Sequence, residues 1–559
     1  MLHAYLFETR GIQRFLFSSG RLRDMLGGSE LLDYLCADGG LLDQTLQQLD
    51  LTPRVARKAG GAFYLLFTDR AQAERLRATW RLACARWIPG VEQVDALASA
   101  ETAREAITKG LEILREARNR MTADLPRPGP LSERSARTGL AAVKRDRKES
   151  LDAPTARQRS FKRPTDAAAL SQRFLDQDGL IWPVNFEESA PASERFPLGE
   201  RRLVGLLHAD GNGLGELLRV LNEACRNAND DTYIQLYRTF SEGLGRATLQ
   251  AAREASRKVL VPAAQDQVLP ARPLVLGGDD LTILLRADLA LDFTRCFLDA
   301  FETASKEAMH ELHRAFQEAK LDPKALPQYL TACAGLCFMK CTQPFHAGHE
   351  LAESLCKRAK GASRKVRQAE APMPATLAFH KVQDSIIEDA ESQFRQNHVA
   401  THRPARDPHR DTAPADASNV EQREIHLALP AYALRPTPGL PALDDLDALL
   451  TIFTQTRGEG RINDRPLREI ATLMYSNLPL ARQAYTRWRD LAGRENHRAL
   501  QRFDKALHAL VGATAPDLPC SLTRDTDPGS AAAHTPLSDL LALLTVQATP
   551  RTAAEACPQ

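Results

Sequence analysis

No run of apolar residues in this 559-residue chain is long enough to span a bilayer, so no membrane association is expected. The opening, MLHAYLFETRGIQRF, is broken by Glu8 and Arg10 before an apolar core of signal-peptide kind can form. A soluble, cytoplasmic protein is expected. An excess of one charge is also missing: 73 Lys+Arg stand against 71 Asp+Glu, a net of +2. No global field therefore favours wrapping duplex DNA, and any nucleic-acid contact must come from a local patch. The 10 cysteines include no C-x-x-C pair. A disulfide framework is not expected in a chain of this size. Cys333, Cys337 and Cys341 read as buried thiols on one face of a strand.

At 559 residues with 43% hydrophobic content, two to four domains with real cores are expected. Residues 1–120 alternate strand and helix patterns. HAYLFE reads as a strand, GGAFYLLF (Gly60–Phe67) as a glycine turn into a buried strand, and RAQAERLRATWRLACARW as an amphipathic helix. Residues 121–195 are rich in Pro and basic residues, and read as an extended connection or a small irregular subdomain. The segment Arg134–Arg163 is open to two readings, an RNA or protein contact and a solvated linker. Alternation returns over 196–385 in the order β-α-(α)-β-β-α-β-α, which contains the split βαβ, or ferredoxin-like, unit. Residues 386–425 have the composition of a mobile linker, and 426–559 are mostly helical. Both halves carry an early strand and a later Gly-Gly hairpin, at Gly60-Gly61 and Gly277-Gly278, but only the second continues with Asp-Asp. A duplicated fold with one live and one degenerate site fits that pattern.

Three short stretches carry the chemistry. In LVLGGDDLTILL (Leu274–Leu285), Gly277-Gly278 suits a tight turn, with Asp279 and Asp280 beside it. Adjacent carboxylates between apolar strands need a cation or donor to offset them, although Asp is also ordinary turn chemistry. Taken alone, turn and metal site are nearly balanced. In LVGLLHADGNGLGELL (Leu203–Leu218) an apolar strand ends at Asp210, and a glycine loop leads into a helix near Gly215–Glu216. In a split βαβ unit that strand end meets the hairpin, so Asp210, Asp279 and Asp280 would converge as oxygen ligands for hard divalent cations. Gly211, Asn212, Gly213 and Gly215 would let a triphosphate approach backbone amides at a helix N-terminus. The loop matches neither the dinucleotide fingerprint nor the P-loop. In LAESLCKRAKGASRK (Leu351–Lys365) the lysines and arginines make either a phosphate contact, centred on Lys360, or a solvated helix face. His208, two residues before Asp210, lies on the same strand face; His310, His313, His346 and His349 form no zinc-protease signature.

As a set, these motifs resemble the palm domain shared by GGDEF cyclases and, more closely, by the large polymerase-cyclase subunit of type III CRISPR effector complexes. The match rests on GGDD at Gly277–Asp280, ADGNGLG after the partner strand, the AK of Lys360 and the closing LAFHKVQDS (Leu377–Ser385). The opening FETRGIQRFLFSSGRLRDMLGGSELLDYL is similar to the start of that family's first, degenerate palm. The resemblance implies an α+β chain: a degenerate palm at 1–120, a connector at 121–195, a second palm with the GGDD site at 196–385, a linker at 386–425 and a C-terminal helical domain at 426–559. It implies Mg²⁺ or Mn²⁺ on Asp210, Asp279 and Asp280, nucleotide contacts from Gly277, Gly278, the Gly211–Gly215 loop and Lys360, and ATP as the substrate of a nucleotidyl cyclase making cyclic oligoadenylate. The other effector subunits and guide or target RNA are the implied partners. The sequence departs from the family at Asn212, where GGDEF enzymes have a second Asp, and at Ser132 and Ser135, where relatives carry zinc-binding cysteines. No His-Asp nuclease motif precedes the first palm pattern, so DNA cleavage is not expected. A catalytically silent nucleotide-binding scaffold and a stand-alone cyclic dinucleotide synthase remain the alternatives.

Overall fold

The computed structural model describes residues 1–119, 129–163, 169–175, 177–368, 371–383, 389–402, 423–454, 462–521 and 532–547. The chain forms two compact units. The first comprises Met1–Cys333, Lys340–His349 and Gln368–Met373; the second comprises Ala334–Met339, Glu350–Arg367 and Pro374–Gln559.

The first unit begins with four strands: β1 (Leu2–Arg10), β2 (Arg54–Ala59), β3 (Ala62–Phe67) and β4 (Glu92–Ala100). They form a sheet in the order β2-β3-β1-β4, with every neighbouring pair antiparallel. β1 and β2 are thus parallel with β3 between them, the split βαβ arrangement. Helices α1 (Ile12–Phe17), α2 (Leu22–Cys36) and α3 (Leu41–Gln48) join β1 to β2. α4 (Arg70–Trp87) joins β3 to β4, and α5 (Ala103–Arg118) follows. β3 is apolar at every position because helices cover both of its faces, and all six residues are buried. On one face Phe7 stacks on Phe63 at 5.2 Å, and both meet Trp80 of α4 edge-on. On the other, α5 approaches β1 so closely that a Cβ at Gly110 would lie 2.8 Å from Leu6 Cδ1.

The basic segment expected to be a connector or small subdomain is folded into this unit where it is described. β5 (Ala142–Asp146) and β6 (Glu149–Asp152) form a hairpin that leads into α6 (Ala153–Ser160), and α7 (Leu170–Phe174) follows. Its arginines are largely used internally. Arg159 grips the fully buried Asp24 through two 2.8 Å bonds and also reaches Glu149 and Asp146. Arg163 binds Glu30 and Asp33, and Arg157 lies over the Trp87 ring at 4.3 Å. A Cβ at Gly27 would sit 1.8 Å from the Gln158 carbonyl, so α2 and α6 pack through a glycine.

The second half of the unit repeats the strand arrangement. β7 (Leu203–Gly211) leads through α8 (Leu214–Ala224) and α9 (Asp230–Ala255) to β8 (Ala271–Gly277), β9 (Asp280–Arg286) and α10 (Ala287–Glu318). β7 pairs with β9, and β9 with β8, both antiparallel, as β1 pairs with β3 and β3 with β2. The long helices α9 and α10 cross at Gly243, where a Cβ would lie 3.1 Å from Ala308 Cβ.

β10 (Ala332–Lys340) and α11 (Phe345–Val366) each contribute residues to both units. Cys333, Cys337 and Cys341 are buried, the first two on β10 and the third just past its end. The second unit continues with β11 (Thr376–Lys381), α12 (Ala390–His398), β12 (Val399–His402), β13 (Arg423–His426) and β14 (Tyr432–Ala433). Within the expected linker 386–425, residues 390–402 are therefore helix and strand; 403–422 lie outside the described residues. Helices α13 (Leu443–Thr454), α14 (Arg465–Ser476) and α15 (Leu478–Val511) follow, then β15 (Ala532–His534) and α16 (Leu537–Val546). Trp488, 5.1 Å from Phe503, anchors that helical core. β12, β13 and β15 make a small sheet that sequence periodicity did not disclose. Among the described residues no helix is long and apolar enough to cross a membrane.

Candidate metal and nucleotide site

β7 carries the run VGLLHA, buried throughout, to its end at Asp210 and Gly211. Gly213 then adopts a left-handed conformation (φ 73°) and caps α8, which starts at Leu214. The β7–β9 ladder pairs Ala209 with Leu281, so Asp210 arrives beside Asp280. The β8–β9 ladder closes with Gly277 opposite Asp280. The two central turn residues are thus Gly278 (φ 61°) and Asp279, and Asp280 opens β9. Gly277 is needed for a different reason: a Cβ there would come within 3.0 Å of Gly60 Cα, the tip of the other Gly-Gly hairpin.

Asp210, Asp279 and Asp280 converge. Each offers a carboxylate oxygen within 4.8 Å of the others, and each is half-buried. Among the described residues it is the one group of three or more such side chains close enough to hold an ion. Three anionic oxygens at this spacing repel one another, and an all-oxygen donor set suits Mg²⁺ or Mn²⁺. Gly211 supports the cluster sterically, since a Cβ there would lie 2.9 Å from Asp279 Cβ and 3.1 Å from its Oδ2.

The remaining sequence candidates divide. Asn212 is 5% exposed and turned toward Thr331: its backbone N–H donates to the Thr331 carbonyl at 2.8 Å and its Nδ2 to Thr331 Oγ1 at 2.9 Å. Thr331 Oγ1 donates onward to the Met373 carbonyl at 2.6 Å. Asn212 therefore pins the loop after Asp210. Gly215 has open space around its Cα. Lys360 lies on α11 in the second unit. His208 is a packed histidine, 3.3 Å from Thr282 Oγ1 and edge-on to His349 at 5.4 Å. His313 bonds the Pro327 carbonyl.

Two features were not found from sequence. A cavity of about 810 Å³ lies between the hairpin tips, lined by Gly60, Gly61, Gly277, Gly278, Asp280 and Thr248 among others. Thr248, on α9, donates to the Gly278 carbonyl at 2.6 Å. A threonine inside a helical pattern carries no signal for such a contact.

The first half carries no aspartates at the corresponding positions of its own hairpin. Its ladder pairs Ala59 with Ala62 across Gly60-Gly61, and Glu8 with Ala62. By the same register Glu8 stands where Asp210 stands, while Gly61 and Ala62 replace Asp279 and Asp280. Glu8 is matched by side chains: Tyr64 OH donates to it at 2.9 Å, and Arg118 pairs with it. Burial pushes the Tyr64 hydroxyl pKa up, so it remains a neutral donor.

Residues 203–369 match the family model for the second palm domain of Cas10/Cmr2. This stretch is a Cas10/Cmr2 second palm domain. Within the palm fall Asp210, Asp279 and Asp280, together with Asn212 and Lys360. Among solved structures, the Csm1-Csm4 subcomplex of the type III-A CRISPR-Csm interference complex matches at 13% identity with a TM-score of 0.40. The Csm1-Csm4 cassette in complex with cA3 matches at 14% identity with a TM-score of 0.39. Each covers 64% of this chain and 53% of the matched chain, so this chain spans about half the length of those relatives. At these values the assignment of the palm rests on the family model. The curated proteins contain no match.

Proposed function

We propose that the chain is a metal-dependent nucleotidyltransferase of the cyclase type, joining ATP into cyclic oligoadenylate-type messengers with release of pyrophosphate. The observation that carries this reading is the convergence of Asp210, Asp279 and Asp280 in a palm of the Cas10/Cmr2 family. Asp210, Asp279 and Asp280 would hold the Mg²⁺ or Mn²⁺ ions. Bound there, such ions lower the pKa of an attacking ribose hydroxyl and neutralise the pyrophosphate leaving group.

The chain's own residues orient and bind. Gly213, as a left-handed cap, brings the N-terminus of α8 close behind Asp210, and a helix N-terminus favours phosphate oxygens through its amides and dipole. The cavity between the hairpin tips falls in the size range of small-molecule sites. Its two walls carry the two Gly-Gly hairpins, where the absence of Cβ atoms lets a nucleotide approach the backbone. A degenerate first palm would then supply the other wall, with its Glu8 paired to Arg118 and Tyr64. Other type III effector subunits and guide or target RNA are the proposed partners. A silent scaffold is disfavoured by the triad, because three clustered carboxylates destabilise a fold that binds no cation.

The test is product identification. The full chain, with Mn²⁺ and ATP, alone and with effector subunits and target RNA, is expected to release pyrophosphate and yield adenylate oligomers by mass spectrometry. A cyclic dinucleotide would move the reading to the stand-alone synthase. Absence of product from every nucleoside triphosphate in every combination would overturn it.

A further inference from the structure

We propose that Thr248 is a positioning residue that sets where Asp279 and Asp280 stand. The inference rests on the metal-site reading above and names the group that fixes that site's geometry. Thr248 lies within α9 and is 1% exposed. Its hydroxyl is 3.0 Å from the Leu244 carbonyl, one turn back on its own helix, and 2.6 Å from the Gly278 carbonyl. One hydroxyl has one proton to donate. The longer contact is the back-bond that helical threonines commonly make, whereas the shorter one reaches out of the helix to the hairpin.

The position of that carbonyl matters. It belongs to the peptide joining Gly278 to Asp279, the central peptide of the two-residue turn. Gly278 has a positive φ of 61° and no Cβ, so the residue itself does little to fix that peptide plane. Rotating the plane changes ψ of Gly278 and φ of Asp279 together, and carries the Asp279 side chain away from Asp210. A donor at 2.6 Å holds the plane. A second hydroxyl secures the other end of the hairpin: Ser29 of α2 donates to the Leu274 carbonyl on β8. α9 also bears on the first-half hairpin, through Arg54 paired with Asp231 and through Tyr64 against Tyr237, their rings 6.2 Å apart. One helix thus braces both Gly-Gly hairpins.

The experiment uses the full chain without nucleotide. Thr248→Val keeps the branched volume and removes the hydroxyl, while Thr248→Ser keeps the hydroxyl. Mn²⁺ affinity is read from the paramagnetic resonance signal of free Mn²⁺, and turn mobility from amide exchange over residues 277–281. Loss of one hydrogen bond predicts Mn²⁺ affinity about tenfold weaker in Thr248→Val. Exchange should be faster in the same variant, and Thr248→Ser should stay close to wild type in both measurements. A general packing defect would not be rescued by serine, the smaller residue. Wild-type affinity and exchange in Thr248→Val overturn the inference while leaving the metal site standing. A wild-type chain that binds no Mn²⁺ overturns the metal site, and this inference with it.

Discussion

Two glycines four residues apart test whether the loop after β7 serves the acids or only the helix. A Cβ added at Gly211 meets Asp279 Cβ at 2.9 Å, Asp279 Oδ2 at 3.1 Å and Leu214 Cδ1 at 3.2 Å. Contacts under 3.0 Å are not tolerated between carbon atoms, so Gly211→Ala must push Asp279 or the β7 end aside. Overpacking of this kind costs about 1–3 kcal/mol. Part of it would appear as lower global stability and part as displacement of Asp279, and therefore as weaker metal binding. Gly215→Ala is the control. Nothing lies within 4 Å of the added carbon, and the residue is inside α8. Alanine there should stabilise the chain by about 0.5 kcal/mol through helix propensity. Denaturant unfolding and Mn²⁺ titration of both variants provide the assay. Gly211→Ala should lose stability and bind Mn²⁺ more weakly, while Gly215→Ala should gain slightly and bind it as the wild type does. Equal Mn²⁺ binding by all three proteins would refute the steric argument. Loss of nucleotide affinity in Gly215→Ala would support the nucleotide contact expected of that glycine from sequence.

Arg159→Met removes the partner of Asp24, which is fully buried, and should cost about 3–5 kcal/mol in unfolding measurements; a change below about 1 kcal/mol would mean that water reaches Asp24. In the second unit two buried groups titrate with opposite signs. Burial raises Asp539 from 3.8 to about 7, opposed by hydrogen bonds from Tyr432 and Leu429, so the folded state holds its proton longer and stability from this group falls as pH rises from about 4 to 7. Burial, with His380 and Arg358 nearby, lowers His398 from 6.5 to about 3, so its contribution falls as pH drops from about 6.5 to 3. The two slopes, each at most about 1.4 kcal/mol per pH unit, oppose one another between about 4 and 6.5. Asp539→Asn should therefore leave a second unit that weakens steadily on acidification, measured by thermal unfolding from about pH 7 to 4; an unchanged pH profile would contradict this.

The palm was legible because its signals are local. An apolar strand that stops at Asp210, a glycine cap and an apolar hairpin interrupted by Asp279 and Asp280 each follow from neighbours in sequence, and pairing Ala209 with Leu281 brings them together. Gly277 and Gly278 look alike in sequence and differ in conformation and in what faces them. Gly277 meets Gly60, a contact 217 residues away that no local pattern encodes. The segment Arg134–Arg163 stayed open between an RNA or protein contact and a solvated linker because the acids its arginines bind, Asp24, Glu30 and Asp33, lie on α2, more than 100 residues earlier. Thr248 was invisible because a threonine within a helical pattern carries no sign of a contact to a carbonyl 30 residues on. The small sheet of β12, β13 and β15 joins strands of three or four residues, too short for alternation to register.

The central claim is that Asp210, Asp279 and Asp280 act as one metal-holding set in nucleotidyl transfer. Its most direct measurement is pyrophosphate release from ATP and Mn²⁺ by the wild type, by Asp279→Ala/Asp280→Ala and by Asp210→Asn, each assembled with the same partner subunits and target RNA. The account predicts release by the wild type and loss of at least about a hundredfold in both variants, the scale on which charge-stabilising groups act in catalysis. Wild-type rates in either variant would contradict it.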